Sequence, residues 1–193
     1  MFMRTSLLLC AIVTLSACAG QGFRANEFMG RISLLCGHAY EGKIVSDDAA
    51  DDAWRAERVV MDVQCIDKNN IRIPLHVGDN RSRTWVLTED KGIIELRHDH
   101  RHDDGSEDAL TQYGGFSTEN SSGSRQNFPA DQSTKDLFDR EGIPVSKQNT
   151  WAIEVRPTHN MFAYELSRPE RFFRVEFDTS KPVDRPPPAW GDE

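Results

Sequence analysis

Residues 171–178 read "RFFRVEFD", and the alternation in them recurs along most of the chain. Successive side chains of a strand point to opposite faces, so Phe173, Val175 and Phe177 share one face and Arg174 and Glu176 share the other. The same period places Val59, Met61, Val63 and Cys65 together in "ERVVMDVQC", and Ile71, Ile73, Leu75 and Val77 together in "NIRIPLHV". "RTWVLTE", "GIIELRHDHRH", "DALTQYGG", "NTWAIEVRP" and "NMFAYELSRP" continue the series, with "GDNRS" and "DDGSE" as turns between strands. Such a chain buries one face of each strand and wets the other. Eight or nine strands at short spacing predict an all-β, mainly antiparallel fold. The meander is expected to close into a calycin-like barrel or to fold as a sandwich, the two ways such sheets resolve their edges.

Pro74 donates no ladder bond and predicts an edge or a bulge. One helix is expected near 131–141, capped by Asp131 or Ser133, stopped by Gly142 and docked through Leu137 and Phe138. A short N-terminal helix is expected from Phe28 to Leu35, a loop over 117–127 and an extended Pro-rich tail over 181–193.

The N-terminal segment "MFMRTSLLLCAIVTLSACAG" has one positive charge, Arg4, before a short apolar run from Leu7 to Val13. That run is shorter than the roughly 20 residues that cross a bilayer, and the pattern is that of an export signal. "LSAC" at Leu15–Cys18 resembles a bacterial lipobox. The resemblance implies cleavage after residue 17 and lipidation of Cys18, with 18–27 as a lipidated tether and 28–180 as one β-rich domain. The next residue is Ala19 and not Asp, which by the enteric sorting rule points to an outer-membrane protein facing the periplasm. A mature chain of 176 residues would carry 22 basic against 31 acidic side chains. That balance argues against nucleic acid as a partner. It makes the lipid, and not surface charge, the tie to the membrane.

Of the four cysteines, Cys10 leaves with the signal and Cys18 is the anchor. Cys36 and Cys65 remain, in a space where disulfides persist. Cys36 precedes one expected strand and Cys65 ends the next, and antiparallel pairing brings these positions together. A structural disulfide is therefore expected.

In "IIELRHDHRHDDGSED" the face of Ile94 and Leu96 continues into His98, His100 and His102. Neutral imidazole is a common ligand of divalent transition metals, and these three are the candidate metal ligands. Against this stands a plain solvated hairpin end, in which Asp99 and Asp103 pair with Arg97 and Arg101. Arg81 and Arg83, near a turn, are candidate ligands for a carboxylate or phosphate. Trp85, Trp151, Phe162 and Tyr164 are expected in the core. The sequence holds no nucleophile elbow, HExxH pair, Walker A loop or dinucleotide fingerprint, and no reaction can be read from it.

The segments "HVGDNRSRTWVLTE", "LRHDHRHDDGSEDALTQYGG" and "FAYELSRPERFFRVEFD" resemble an uncharacterised family of bacterial secreted proteins and lipoproteins. The resemblance spans most of the mature chain and implies export, with no assigned activity or ligand. The leading expectation is an envelope lipoprotein whose barrel binds a small molecule at its interior or its mouth. The rivals are a metal-binding protein or metal-dependent enzyme centred on the histidines, and an accessory envelope protein with no small ligand.

Overall fold

A computed structural model describes the backbone of residues 10–192 and the side chains of residues 20–192. Most of the expected signal segment and the Cys18 side chain lie outside the described residues. The elements are α1 (Cys10–Ser33), β1 (Ala39–Ile44), α2 (Asp52–Arg55), β2 (Val59–Asp62), β3 (Gln64–Cys65), β4 (Asn70–Val77) and β5 (Asn80–Asp90). They continue with β6 (Ile93–His100), β7 (Tyr113–Phe116), β8 (Arg125–Pro129), α3 (Gln132–Arg140), β9 (Thr150–Arg156), β10 (Met161–Arg168) and β11 (Arg171–Val183).

The eleven strands form one antiparallel sheet in the order β7-β6-β5-β4-β2-β1-β11-β10-β9-β8, with β3 beside β4. This is the expected meander, and it resolves as a nearly closed barrel and not as a sandwich. Pairing of β1 with β11 joins its two halves, with Gly42 opposite Phe177 and Ile44 opposite Val175. The remaining seam lies between β7 and β8. Thr118 N donates to Asn127 O at 3.1 Å and Asp131 N to Gly114 O at 3.1 Å across it. Gly115 allows this approach, since a Cβ there would sit 2.0 Å from Pro129 O, while Gly114 seats β7 against β6, where a Cβ would sit 1.8 Å from Leu96 O.

The alternation holds on the inside. Val59, Met61, Ile71, Ile73, Leu75, Trp85, Leu87, Ile94, Leu96, Phe162, Val175 and Phe177 are buried in one cluster. Outside, charged side chains form a ladder across β8 to β11, in which Arg125 and Arg174 both pair with Glu154 and Glu165. Burial alone would push the Glu165 carboxyl up, but the two guanidiniums hold it below its ordinary value. α3 is capped by Asp131, whose carboxylate accepts from Thr134 N at 2.8 Å, and Phe138 buries it against the barrel.

Four expectations are corrected. The first concerns residues 20–27, read as tether, and the brief helix from Phe28 to Leu35. Residues 20–33 of these stretches belong to one helix, α1, which ends two residues before Leu35 and lies across the lower end of the barrel, the end of the β5–β6 turn. Ala25, Phe28, Met29 and Ile32 fall at i, i+3, i+4 and i+7, a stripe that buries itself in the barrel opening. Second, Pro74 sits buried in an inner strand opposite Thr84, and the irregularity falls one step later, between Leu75 and Val77. Third, "DALTQYGG" is extended only from Tyr113, because Asp108 turns the chain by accepting from Leu110 N and Gln112 takes a left-handed φ of 56°. β8 begins inside the stretch read as a loop.

Fourth, the tail does not simply extend. β11 runs to Val183, and residues 184–192 strap the outer face of the sheet. Arg185 holds the Asp62 carboxylate through two bonds of 2.8 Å, and Arg72 reaches Asp192 at 3.0 Å. This strap buries Asp62 and His76 on a face the alternation assigns to solvent.

Cys36 and Cys65 form the expected disulfide, with Cα atoms 5.6 Å apart and a sequence separation of 29. Replacing both by Ser should lower stability by about 3–4 kcal/mol, the chain-entropy value for a loop of this size, read from the urea midpoint. Gly115→Ala should destabilise the barrel by at least about 2 kcal/mol on the same measurement, because the new methyl meets backbone that cannot rotate away. A midpoint unchanged by Gly115→Ala would mean that the seam is open.

Candidate functional site

The upper end of the barrel, opposite α1, gathers polar and aromatic side chains. On β6 the inward face changes from Ile94 and Leu96 to His98 and His100. Register sets their neighbours: His98 lies opposite Trp85 on one side and Tyr113 on the other, and His100 lies opposite Arg83. β10 adds Tyr164, stacked on Trp85 with ring centroids 4.2 Å apart, and β9 adds Trp151, 5.0 Å from the His98 ring. Trp54 comes from α2, in the segment joining β1 to β2. It packs edge-on against Phe173 at 5.5 Å. The Arg83 guanidinium lies over its ring, 4.9 Å from the centroid.

His98 is 2% exposed and uses both ring nitrogens. Nδ1 lies 3.0 Å from Tyr113 O, which can only accept, so Nδ1 carries the proton. Nε2, 2.8 Å from the Tyr164 hydroxyl, is then the acceptor. Burial pushes the His98 pKa down to about 3. Burial and then the charge of Arg83 push His100 down to about 4. Burial raises both Tyr113 and Tyr164. At neutral pH the imidazoles and phenols of this cluster are uncharged, and Arg83 carries the positive charge among them.

Among the described residues that charge has no direct counter-ion. Arg83 donates to Asn80 Oδ1 and Ser82 Oγ, both at 3.0 Å, and no carboxylate of a described residue lies within ion-pair distance of it. Asp108 acts on it only from further away. Burial lowers the pKa of Arg83, which is the sign of a charge held partly out of water. A second unmatched donor lies beside the same rings: the buried Trp151 Nε1 has no hydrogen-bond acceptor among the described residues.

The three candidate histidine ligands do not converge. His100 is half-buried, its Nε2 3.3 Å from the Tyr113 hydroxyl, whereas His102 is exposed in the turn after β6. β6 ends at His100, so the face that carries His98 and His100 does not extend to His102. Among the described residues no group of three His, Cys, Asp or Glu side chains is placed to hold a metal ion. The two candidate arginines also part. Arg81 reaches Pro188 O at 2.8 Å and lines an outer cleft of about 580 Å³ with His76 and Arg185, whereas Arg83 belongs to the mouth.

Sequence reasoning assigned Tyr164 and Trp151 to the core, where they are, but missed their place around His98. It missed Trp54 altogether. The available signal was a single Trp inside the acid- and alanine-rich stretch "DDAADDAWRAER", a composition that gives an aromatic ring no local partner. Comparison with protein-family models, with curated proteins and with solved structures gave no match to this chain.

The buried neutral histidines set a pH dependence. Their folded pKa values lie below the ordinary 6.5, so as pH falls from 6.5 the unfolded chain takes up protons that the folded chain refuses. Stability should be full above pH 6.5 and fall steadily toward pH 4.5, a window above the titration of ordinary carboxylates. Thermal denaturation of wild type should show this loss, and His100→Gln should show a smaller one.

Proposed function

We propose that this protein is an envelope lipoprotein, tethered through Cys18, whose barrel binds a small anionic molecule at its upper mouth. The carrying observation is Arg83: a half-buried guanidinium with no carboxylate of a described residue in ion-pair distance, set among uncharged His100, Tyr113 and Tyr164. A carboxylate or phosphate would supply the missing counter-charge and accept a bidentate pair of hydrogen bonds. The aromatic surround of Trp54, Tyr113 and Trp151 favours a carboxylate with a flat apolar body. The core cluster packs the space behind Ile94 and Leu96, so the ligand would sit at the mouth and not deep inside. Trp54 would be the side chain that moves to admit it.

The export reading rests on the "LSAC" motif and gains support from the Cys36–Cys65 disulfide, a bond suited to an oxidising compartment. The packed interior also favours a second reading, an envelope protein that acts through its surface alone.

Titration of the full chain with benzoate, hexanoate and inorganic phosphate at low salt, followed by tryptophan fluorescence, separates the two. Saturable binding of one of these anions, weakened at least tenfold in Arg83→Gln and unchanged in Arg81→Gln, is the expected result. Binding that survives Arg83→Gln, or no binding of any of the three, would leave the surface reading.

A further inference from the structure

We propose that the lower end of the barrel is a membrane-contact face, so that the mouth around Arg83 points away from the bilayer. This rests on the reading of Cys18 as the lipidated residue. The geometry comes from α1. Gly22 packs against Gly92 in the β5–β6 turn so closely that a Cβ on Gly92 would lie 2.5 Å from Gly22 Cα. Gln21 Nε2 donates to Ser117 O at 3.4 Å, and Arg24 reaches Glu119 O at 3.2 Å. The chain is therefore docked on the barrel from Gln21 onward. Along a helix Cys18 is only about 6 Å from Gly22 at about 1.5 Å per residue. Acyl chains on Cys18 would leave almost no slack, and the lower end would be drawn to the lipid surface.

Three exposed apolar side chains surround that docking point. Phe23 is 70% exposed, Ile93 43% and Phe116 48%. Each is next in sequence to a docking residue: Phe23 to Gly22, Ile93 to Gly92 and Phe116 to Ser117. Ile94 N bonds to Ser117 Oγ, which ties β6 to the end of β7 at this place. Lys91, at the tip of the turn, is exposed among them.

The charge distribution has the same sense. At the lower end, α1 from residue 20 and the connections 66–69, 89–92, 117–124 and 156–160 carry five acidic and five basic side chains. At the upper end, the connections 45–58, 78–83, 101–112, 130–148 and 168–171 carry fifteen acidic and ten basic. An anionic headgroup layer repels the upper end and tolerates the lower one. An apolar fringe on a charge-balanced end, beside the acylated residue, suits the headgroup boundary of a bilayer.

The test uses the full chain purified with its lipid, in vesicles of phosphatidylcholine and phosphatidylglycerol. Mass spectrometry of the Cys18 peptide comes first. A fluorescent label is then placed on Lys91→Cys or, at the upper end, on Asp103→Cys, and quenching by brominated acyl chains is measured. The expected result is at least twofold stronger quenching at position 91 than at 103. Combined Phe23→Ser, Ile93→Ser and Phe116→Ser should weaken quenching at position 91 without reversing the order of the two positions, because the short lipid tether still holds the lower end near the vesicle. An acylated Cys18 with equal or reversed quenching overturns the orientation and leaves the anchor standing. A Cys18 peptide without lipid overturns both.

Discussion

The pairing of β1 with β11 is the contact on which the rest of the structure depends. It joins residues 39–44 to residues 175–183, and only then does a row of hairpins become a wall with an inside. Gly42 is what lets it form, since a Cβ there would lie 2.6 Å from the Phe177 ring. Phe177 in turn packs edge-on against Phe162 and Trp85, so the same contact seats the aromatic core. Closure of this kind depends on residues far apart in sequence, and its entropy is recovered only when the whole inner face is buried.

Once closed, the barrel has two ends, and each is finished by a segment that is not a strand. α1 fills the lower opening with Phe28 and Ile32, both fully buried. The upper opening is flanked by Phe138 from α3 and Trp54 from α2, with the His98 and His100 cluster between and below them. Plugging one end with apolar side chains and the other with rings that carry polar atoms makes the ends chemically different. At the upper end, buried N–H and O–H groups of His98, Tyr164 and Trp151 lie beneath the half-buried Arg83. The C-terminal strap adds a third closure, on the outside, and the bonds of Arg185 to Asp62, of Arg72 to Asp192 and of Arg81 to Pro188 O make part of a polar outer face into a covered one. Ion pairs of this partly exposed sort fix where the strap lies and add little stability.

The candidate site was half legible. His98 and His100 could be placed on the inward face because the period of two carries through from Ile94 and Leu96. What the imidazoles do there could not be read, since it is decided by Tyr113 across one ladder and Tyr164 from a strand 66 residues away. His102 shows the limit of periodicity: the alternation predicts its side only while the strand lasts, and the strand stops two residues earlier. Arg81 and Arg83 obey the same lesson. They share a parity in sequence, yet the strap claims one and Trp54 the other.

By itself the sequence determined the strand class, the inner and outer faces, the Cys36–Cys65 bond and the helix at Asp131. Each of these follows from local chemistry: side-chain period, cap residues, and thiols at matching ends of adjacent strands. Only the tertiary structure decided that the sheet closes as a barrel, that residues 20–27 are helical and docked, and that the tail binds the wall. Those outcomes depend on which distant surface offers a partner. An apolar stripe such as Ala25, Phe28, Met29 and Ile32 becomes a stable helix when a barrel opening is there to receive it, and stays a weak signal until then.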